Sequence, residues 1–499
     1  MGSEWPTRDP LAHRTATTPD RTAVVAAETG AADTYRAFDE RVTDRAAALT
    51  ALAGEAPTVA LLLDTRVAFA DLLFATLRAG GRLVPLNTRL TEGELTERAA
   101  RVAPDLLVCG EETAATARAV TDGPVASVDA PSRDGVASLA DYGDPGSVDP
   151  ATVGPDTEWL VVFTSGTTGR PKGVRLTVGN LLSSATASAF RLGVAPDDRW
   201  LCCLPAYHVG GLAPLVRSTL YGTTAVVQRG FDAERTAATL DEHDVTGVSL
   251  VPTALRRLLD AGWEPGAALR FVLLGGAPAP ASLLDRCAER GVPVHPTYGL
   301  TEAASQVATA RPREAFSHEG TVGQPLVTTE VTVVDEDGNA LDPGERGELV
   351  VAGPTVTPGY LDDERTAAAF SGRGLHTGDV GYRDEDGRLW VCNRLDDRIV
   401  TGGENVDPGE VAAVVRDHPG VAEAAVLGVP DEEWGERVAA LVVPAGDADL
   451  SPDAVAAHCR ERLAGFKCPK TVTLAEALPR TASGTVDREA ARRLLEGSP

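Results

Sequence analysis

The feature that most constrains the fold is an alternation of short apolar runs with longer segments of helical periodicity. Between residues 22 and 109 the apolar runs are TAVVA, VALLL, RLVPL and DLLVC, separated by amphipathic stretches such as FDERVTDRAAALTALA. A second series, WLVVF, RWLCCLP, TTAVVQ, GVSLV and FVLLGG, follows between residues 159 and 276. Strands that alternate with helices pair in parallel and are buried on both faces. The sequence therefore predicts an α/β protein with two doubly wound subdomains.

The pattern changes after Gly320. The runs EVTVVD, GELVVAG and RLWVCN alternate in polarity, and Asp337-Gly338 marks a turn, which predicts an antiparallel β module. A short charged joint, RLDD, follows Asn393, and the mixed helix and strand pattern beyond it is long enough for a small α+β domain. We expect an N-terminal domain of residues 1–394 and a C-terminal domain of residues 395–499.

Charge excludes two classes of partner. The chain has 46 basic and 72 acidic residues, a net charge of −26, so it lacks the basic surface that nucleic acids or anionic membranes require. The acidic residues are spread along the whole chain, and only three residues are lysines, at positions 172, 467 and 470. This composition is typical of a halophile, in whose salt-rich cytoplasm screening removes self-repulsion.

The cysteines and the hydropathy indicate a cellular compartment. The seven cysteines include no CxxC pair and no paired histidine spacing, so neither a disulfide framework nor a zinc site is supported, and we expect reduced core thiols. No apolar stretch is long enough to span a membrane, and the first residues lack the apolar region of a signal peptide. We expect a cytoplasmic protein, and its oligomeric state, monomer or homo-oligomer, is left open.

The stretch FTSGTTGRPKGV, residues 163–174, has the chemistry of a phosphate-binding loop. Glycines 166, 169 and 173 allow backbone N–H groups to converge on an anion, and Lys172 adds a positive charge. The spacing differs from a Walker loop, because Arg170 and Pro171 separate the last loop glycine from the lysine. An ordinary surface turn is the alternative. The proposed loop ligands are Thr164, Ser165, Gly166, Thr167, Thr168 and Gly169.

Three further segments bring polar groups to the ends of strands. YGLTE, Tyr298 to Glu302, combines an aromatic ring, a hydroxyl and a carboxylate, which suits a purine and a magnesium ion, although Thr301 could equally cap a helix. HTGD ends at Asp379 before an expected exposed turn, where the carboxylate would accept either ribose hydroxyls or turn N–H groups. His208 in LPAYHVGG is compatible with a metal ligand, a base, a gate or a packed ring.

In their order, the motifs FTSGTTGRPKGV, LPAYHVGG, LLGGAPAP, YGLTEAASQ, HTGD, NRLDDRIVTGGENVDPGEV and LPRTASGTVDRE resemble the acyl-adenylate-forming superfamily of acyl-CoA synthetases over essentially the whole chain. Within it, NTRLTEGEL, LLGGAPAP and YGLTEAASQVAT resemble o-succinylbenzoate–CoA ligases of menaquinone synthesis. The resemblance implies that o-succinylbenzoate reacts with ATP and Mg²⁺ to give an acyl-AMP and pyrophosphate, and that the acyl group then passes to coenzyme A.

The resemblance also implies roles for individual residues. Lys172 and the loop would hold the β- and γ-phosphates, Glu302 would position magnesium, and Thr301 would lie near the α-phosphate. His208, Ser305 and Gln306 would contact the aromatic acid. Asp396 would be the hinge of a mobile C-terminal domain. Among the remaining expected ligands, Gly276, Ala277, Pro278 and Tyr298 would frame the adenine, and Asp379 and Arg394 would bind the ribose. Gly402 and Gly403 would face the pantetheine channel, and Trp434, Phe466 and Lys467 would receive the CoA nucleotide.

One position departs from the family pattern. The last motif normally ends in glycine and a lysine that bridges the carboxylate and the α-phosphate, but this chain reads TASGTVDR and has Thr485 there. Losing one such contact typically lowers a rate by about 10²–10³-fold. Arg480, Arg488, Lys467 and Lys470 are the candidate replacements.

Three other functions remain open at this point. The chain could ligate CoA to another aryl or fatty acid, or it could bind nucleotide without efficient adenylation because of Thr485. A serine hydrolase built on Ser165 and His208 is disfavoured, since TSGTT lacks the G-x-S-x-G elbow.

Overall fold

The computed structural model describes residues 8–131, 133–142, 150–164, 171–397, 399–401, 404–431, 434–446, 450–481 and 486–497, and of residues 396, 400, 404 and 405 it describes only the backbone. The chain divides into two compact units. The first comprises Met1–Val331 and Val351–Leu375, and the second comprises Thr332–Val350 and His376–Pro499.

The α-helices of the described residues, in chain order, are α1 Pro10–Thr17, α2 Tyr35–Ala53, α3 Val67–Arg78, α4 Glu92–Val102, α5 Ala114–Val120, α6 Val178–Leu192, α7 Val209–Tyr221, α8 Ala233–Glu242, α9 Pro252–Asp260, α10 Ala281–Glu289, α11 Pro312–Ser317, α12 Asp363–Ala369, α13 Pro408–Arg416, α14 Pro452–Arg460 and α15 Arg488–Glu496.

The β-strands are β1 Thr22–Ala26, β2 Ala32–Thr34, β3 Thr58–Leu62, β4 Arg82–Pro85, β5 Leu106–Cys109, β6 Val125–Ser127, β7 Ala137–Ser138, β8 Glu158–Thr164, β9 Lys172–Thr177, β10 Arg199–Cys202, β11 Thr224–Val227, β12 Gly247–Leu250, β13 Phe271–Leu274, β14 Val294–Leu300, β15 Ser305–Thr309, β16 Gln324–Pro325, β17 Glu330–Val334, β18 Gly347–Ala352, β19 Gly359–Tyr360, β20 Phe370–Ser371, β21 Gly374–Arg383, β22 Leu389–Arg394, β23 Ile399–Thr401, β24 Glu404–Val406, β25 Val421–Asp431, β26 Gly435–Pro444 and β27 Thr471–Leu474.

Two large sheets form the first unit. One has the strand order β16-β15-β14-β13-β12-β10-β11-β1-β2, and its strands from β14 to β1 are parallel. The other has the order β19-β9-β8-β4-β3-β5-β6-β7, and is parallel from β8 to β7. The apolar strands are buried because helices cover the faces of both sheets. The predicted α/β class is confirmed.

The distribution of strands between the two sheets differs from the sequence prediction. The first apolar run, β1, pairs with β11 of the later series, with Val24 opposite Ala225. Conversely, β8 joins the sheet of the earlier series through Leu160, which lies opposite Leu83 in β4. Periodicity identifies a strand, but pairing between distant segments decides which sheet it enters.

The second unit contains the predicted small α+β fold. Its sheet has the order β24-β23-β26-β25, with β27 on β26, and helices α13, α14 and α15 pack against these strands. Most residues of a further sheet, β17-β18-β21-β20 with β22 on β21, also belong to this unit, and its pairs β20–β21 and β21–β22 are antiparallel. An antiparallel β module followed by an α+β fold is therefore present, as predicted.

The cysteines lie where reduced core thiols are expected. All seven are free, six are buried and Cys392 is half-buried. Burial raises the pKa of the Cys459 thiol to about 11, which keeps this group protonated. In the parts of the chain that the structure describes, no helix combines the length and the apolar character needed to cross a membrane.

Candidate active site

The β8–β9 hairpin positions the predicted phosphate loop. Strand β8 ends at Thr164 and β9 begins at Lys172, and these two residues lie opposite each other in the antiparallel register. The loop residues between them, from Ser165 to Arg170, lie outside the described residues. The hairpin therefore presents a hydroxyl and an ammonium group at the two ends of the loop.

Gly173 is not part of this loop, which corrects the sequence interpretation. It lies inside β9 opposite Phe163, and its carbonyl oxygen accepts a hydrogen bond from Leu361 N at 2.8 Å. A Cβ atom on Gly173 would lie 2.5 Å from Cδ1 of Leu361. Glycine at this position therefore leaves room for the Leu361 side chain to pack against β9.

Lys172 and Glu302 meet at a tyrosine that the sequence did not single out. The Nζ atom of Lys172 lies 5.4 Å from the centroid of the Tyr360 ring, and the Tyr360 hydroxyl donates a hydrogen bond to Oε1 of Glu302 at 3.0 Å. Tyr360 is buried, whereas the other two residues are half-buried. The three side chains form one cluster although they come from three separate parts of the sequence.

Hydrogen bonds fix the backbone around this cluster. Thr357 N donates to the Glu302 carbonyl oxygen at 2.7 Å. Asn180 of α6 donates from Nδ2 to the carbonyl oxygens of Pro354 and Val356, each at 2.9 Å. Ser184, one turn later, donates to the carbonyl oxygen of Ala304 at 2.7 Å. Helix α6 therefore holds both the segment leading to Tyr360 and the segment that follows Glu302.

The YGLTE segment forms the end of β14 and a short 3₁₀ helix. The register of β14 and β15 shifts between Tyr298 and Gly299, and a Cβ atom on Gly299 would lie only 1.8 Å from the Ser305 carbonyl oxygen. Thr301 begins the 3₁₀ helix Thr301–Ala303 and does not cap an α-helix. Thr301 and Glu302 therefore follow directly after the end of β14, next to an irregularity in its pairing with β15.

The expected purine loop follows β13 at the carboxyl end of the same sheet. Gly276 has φ +81°, which glycine adopts without strain, and it is exposed together with Pro278, whereas Ala277 is half-buried. Tyr298 is 9% exposed in the neighbouring strand β14. The two segments expected to frame the purine therefore end neighbouring parallel strands, where ligands bind in such sheets.

The two residues expected to contact the acid differ in their exposure. Ser305 is half-buried and has φ +111°, directly after Ala304 at φ +52°. Gln306 is only 1% exposed, and its Nε2 atom donates to Oγ1 of Thr309 at 2.8 Å. Strained backbone at Ser305 is typical of functional sites, whereas Gln306 lies within the protein interior.

His208 lies immediately before α7 and is neutral. Its ring packs edge-on against the Tyr207 ring with centroids 4.9 Å apart, and Nε2 is buried without a hydrogen-bond partner among the described residues. Burial, assisted by the charge of Arg89, lowers the pKa of His208 to about 4. So weak a base suits the wall of a largely apolar pocket better than general base catalysis at neutral pH.

In the second unit, Asp379 and Arg394 bind each other. Asp379 lies within β21, not before an exposed turn as predicted, and is 7% exposed. It faces Arg394 of β22, whose Nε donates to its Oδ1 at 2.9 Å. The predicted ribose ligands are thus adjacent, and the arginine orients the carboxylate.

The expected CoA surface in the second unit carries exposed aromatic rings and lysines. Trp434 and Phe466 are 40% and 39% exposed. Lys470 Nζ lies 4.6 Å from the Trp434 ring centroid, and Lys467 Nζ lies 5.9 Å from that of Phe466. Lys467 also binds Glu410, with distances of 2.8 and 2.7 Å to the two carboxylate oxygens, a partner that the sequence did not indicate.

Each proposed replacement for the missing lysine already has a partner in the second unit. Arg480 binds Glu423 at 2.5 Å and Arg488 is ion-paired with Asp397. Lys467 and Lys470 make the contacts given above. Gly402, Gly403, Thr485 and the side chain of Asp396 lie outside the described residues, as do loop residues Ser165, Gly166, Thr167, Thr168 and Gly169.

The chemistry of the first-unit cluster fits a magnesium nucleotide. Glu302 is half-buried and has no cationic partner in the described part of the chain, and only Oε1 is engaged by Tyr360. Magnesium prefers one or two carboxylates together with phosphate oxygens. Lys172 likewise has no carboxylate within ion-pair distance among the described residues, so its charge is available to phosphate.

Two family models match the sequence. "AMP-binding enzyme" matches residues 11–361, and "AMP-binding enzyme C-terminal domain" matches residues 410–485.

Curated relatives and solved structures cover nearly the whole chain. The 2-succinylbenzoate–CoA ligase of Bacillus mycoides is 37% identical over 97% of this chain and 98% of its own length. That of Geobacillus kaustophilus is 40% identical over 88% of each chain. The o-succinylbenzoate CoA synthetase (MenE) of Bacillus subtilis in complex with the acyl-adenylate OSB-AMP is 33% identical, with a TM-score of 0.89 over 97% of this chain and 98% of that one. Its complex with ATP and magnesium gives a TM-score of 0.88 at 33% identity, over 98% and 99% of the two chains.

Proposed function

Since the chain belongs to the AMP-binding enzyme family, we propose that it is an ATP-dependent o-succinylbenzoate–CoA ligase of menaquinone biosynthesis. The observation that carries the proposal is the Lys172–Tyr360–Glu302 cluster, in which the ammonium group and one carboxylate oxygen have no ion-pair partner among the described residues. A cation for phosphate and a carboxylate for magnesium are the two groups that an ATP site requires.

The reaction has two balanced steps. A carboxylate oxygen of the acid attacks the α-phosphorus of ATP, an O–P bond forms, and the bond to pyrophosphate breaks. The CoA thiolate then attacks the acyl carbon, a C–S bond forms, and AMP leaves. The first step brings negative charges together, and two unit charges at 4 Å repel by about 4 kcal/mol at an effective dielectric constant near 20.

The residues of the first unit can lower this repulsion. In our proposal, Lys172 and the loop from Thr164 to Gly169 hold the β- and γ-phosphates. Thr301, next to Glu302, lies near the α-phosphate. Magnesium, bound by Glu302, would supply positive charge to the phosphate oxygens. His208, which is neutral, would line the pocket of the aromatic acid with Ser305 and Gln306, while Tyr298 and the loop Gly276–Pro278 would frame the purine.

The second unit carries the other residues that we expect to bind nucleotide and CoA. Asp379, oriented by Arg394, has carboxylate oxygens suited to ribose hydroxyls. Trp434 and Phe466 provide exposed rings on which a nucleotide base can stack, and the lysines beside them suit its phosphates. Gly402 and Gly403 would line the pantetheine channel.

We further propose a hinge at Asp396 that separates an AMP-binding domain, residues 1–394, from a C-terminal domain, residues 395–499. The two family matches leave residues 362–409 between them, and the hinge falls inside this interval. The compact units are divided differently, because residues 332–350 and 376–394 group with the C-terminal part. The proposed hinge therefore marks where the chain would rotate, and it does not coincide with the boundary between the two compact units.

The buried reduced thiols favour a cytoplasmic location.

The test is formation of the thioester. The purified full chain is incubated in molar KCl with ATP, Mg²⁺, CoA and a panel of aryl, dicarboxylic and fatty acids, and acyl-CoA and AMP are detected by mass. We expect o-succinylbenzoyl-CoA with equimolar AMP from o-succinylbenzoate. If another acid is preferred, that acid replaces o-succinylbenzoate as the proposed substrate. If no acid causes release of AMP, the proposed function is rejected. Lys172→Ala is the control, because it removes the positive charge that we propose binds the phosphates of ATP.

Thr485 favours one other function, a nucleotide-binding homologue that adenylates poorly. For such a protein we expect calorimetry to show tight binding of ATP, and we expect no ATP–pyrophosphate exchange. Synthetic o-succinylbenzoyl-AMP separates the two cases, because an enzyme impaired only in adenylation would still convert it to the thioester with CoA.

A further inference from the structure

We propose that Tyr360 is a positioning residue that holds Glu302 and Lys172 in a fixed arrangement at the magnesium nucleotide site. The inference rests on the proposed function, since it assumes that this carboxylate binds magnesium and that this lysine binds phosphate. Its observations are the hydrogen bond from the Tyr360 hydroxyl to Oε1 of Glu302 at 3.0 Å and the position of Lys172 Nζ 5.4 Å from the ring centroid.

The backbone of Tyr360 is itself firmly placed. It lies opposite Val174 in the pairing of β19 with β9, the strand that begins at Lys172. Its N–H donates to Oγ1 of Thr366 in α12 at 2.9 Å. The side chain is 3% exposed. A buried ring on a paired strand has little rotational freedom, so it can serve as a fixed reference for two long, flexible side chains.

The turn before Tyr360 explains how the ring is aimed. Thr357 Oγ1 donates to the Gly359 carbonyl oxygen at 2.8 Å and accepts from Gly359 N at 3.0 Å. Thr357 N also binds the Glu302 carbonyl oxygen at 2.7 Å. One short segment therefore holds both the backbone and the side chain of Glu302.

The hydroxyl and the ring act on different partners. By binding Oε1, the hydroxyl stops rotation of the carboxylate and leaves Oε2 with both lone pairs for a cation. The face of the ring attracts the ammonium group of Lys172 and limits its positions without neutralising its charge. Binding Mg²⁺–ATP then requires less ordering of side chains, which strengthens binding.

The decisive variant is Tyr360→Phe, which keeps the ring and removes the hydroxyl. We expect the Mg²⁺ concentration for half-maximal acyl-CoA formation to rise about tenfold, a factor typical of a lost hydrogen bond to a charged group. Tyr360→Leu removes the ring as well, and the KM for ATP at saturating Mg²⁺ should rise in this variant but not in Tyr360→Phe. The matched control is Tyr35→Phe. This variant also removes a buried tyrosine hydroxyl, but that hydroxyl donates to the carbonyl oxygens of Ser218 and Thr223, at 2.9 and 2.7 Å, and not to Glu302.

A double-mutant cycle distinguishes an effect of Tyr360 through Glu302 from a general structural effect of the substitution. If Tyr360 acts through Glu302, adding Tyr360→Phe to Glu302→Gln should change the Mg²⁺ requirement less than twofold. Additive effects, or a wild-type Mg²⁺ requirement in Tyr360→Phe, would overturn the inference. If Tyr360→Phe folds poorly, Tyr360→His is used instead. The rise in its Tm on adding ATP is measured with and without Mg²⁺. A Mg²⁺-dependent part equal to that of the wild type would overturn the inference. Lack of any ligase activity in the wild type refutes the proposed function instead.

Discussion

Two histidines with desolvated rings make the stability of the first unit sensitive to acid. Burial lowers the pKa of both His208 and His295 to about 4, against 6.5 for an unburied imidazole. Above pH 6.5 neither state binds the protons, so this contribution to stability is fully present. Between pH 6.5 and 4 only the unfolded chain takes them up, and stability falls.

We therefore expect the free energy of unfolding to decrease by up to about 3 kcal/mol per histidine between pH 6.5 and 4. Urea unfolding of the wild type, His208→Gln and His295→Gln across this range measures the effect, and each variant should show a shallower decrease. His13→Gln, at an exposed position, is the control. Equal pH dependence in all four proteins would contradict the prediction.

The threonine at position 485 yields a second prediction at the residue scale. The four basic residues that could replace the missing lysine are engaged by Glu423, Asp397, Glu410 or the Trp434 ring. We expect Thr485→Lys to raise ATP–pyrophosphate exchange with o-succinylbenzoate at least tenfold, within the range of about 10²–10³ for such a contact. Thr485→Ser, which adds no charge, should leave the rate unchanged. An unchanged rate in Thr485→Lys would mean that one of the four cations leaves its partner during the reaction.

Among the elements, α6 connects the two segments of the site and should stabilise both. Thr177 is the N-cap of this helix, and Asn180 completes the capping box because its Oδ1 accepts from Thr177 N. Asn180 also holds Pro354 and Val356 through Nδ2. Asn180→Ala would leave two carbonyl oxygens without their donor. We expect the free energy of unfolding to fall by about 2–4 kcal/mol.

The matched control for Asn180→Ala is Thr34→Ala, because Thr34 caps α2 through Ala37 N at 3.2 Å. Its loss should be about 1 kcal/mol. Urea midpoints at constant salt compare the two variants. Equal decreases in the free energy of unfolding would show that the hydrogen bonds from Asn180 to Pro354 and Val356 do not stabilise the fold. We also expect Asn180→Ala to weaken ATP binding, because Tyr360 follows the segment that Asn180 holds.

Sequence predicted these elements where local pattern determines them and failed where distant pairing does. The apolar run WLVVF predicts strand β8 correctly, but its antiparallel pairing with β9 and its place beside β4 were not predicted. The segment GLHTGDVGYR has three glycines and weak alternation, which favours a turn near Asp379, yet pairing with β22 makes it a strand. Tyr360 was missed because it lies 58 residues from Glu302 and has no local signature.

At the scale of the whole molecule, charge should control stability. The net charge is −26, and the screening length falls from about 10 Å at 0.1 M salt to about 3 Å at 1 M. Screening weakens exposed ion pairs such as Arg36–Asp20, but each such pair contributes at most about 1 kcal/mol. Repulsion among the unpaired acidic residues is larger in sum, so its removal should dominate.

We therefore expect the Tm of the full chain to rise steadily between 0.1 and 3 M KCl. Circular dichroism melts measure it, and an equal osmolality of sucrose provides the control, since sucrose stabilises folded proteins by exclusion without screening charge. A larger rise in KCl than in sucrose assigns the effect to screening. Replacing exposed acidic residues by their amides at several positions should then flatten the KCl curve, because fewer repulsions remain to be screened. Equal Tm values at low and molar KCl would refute the halophilic interpretation of the composition, while the assignment of the site, which depends on Lys172, Tyr360 and Glu302, would be unaffected.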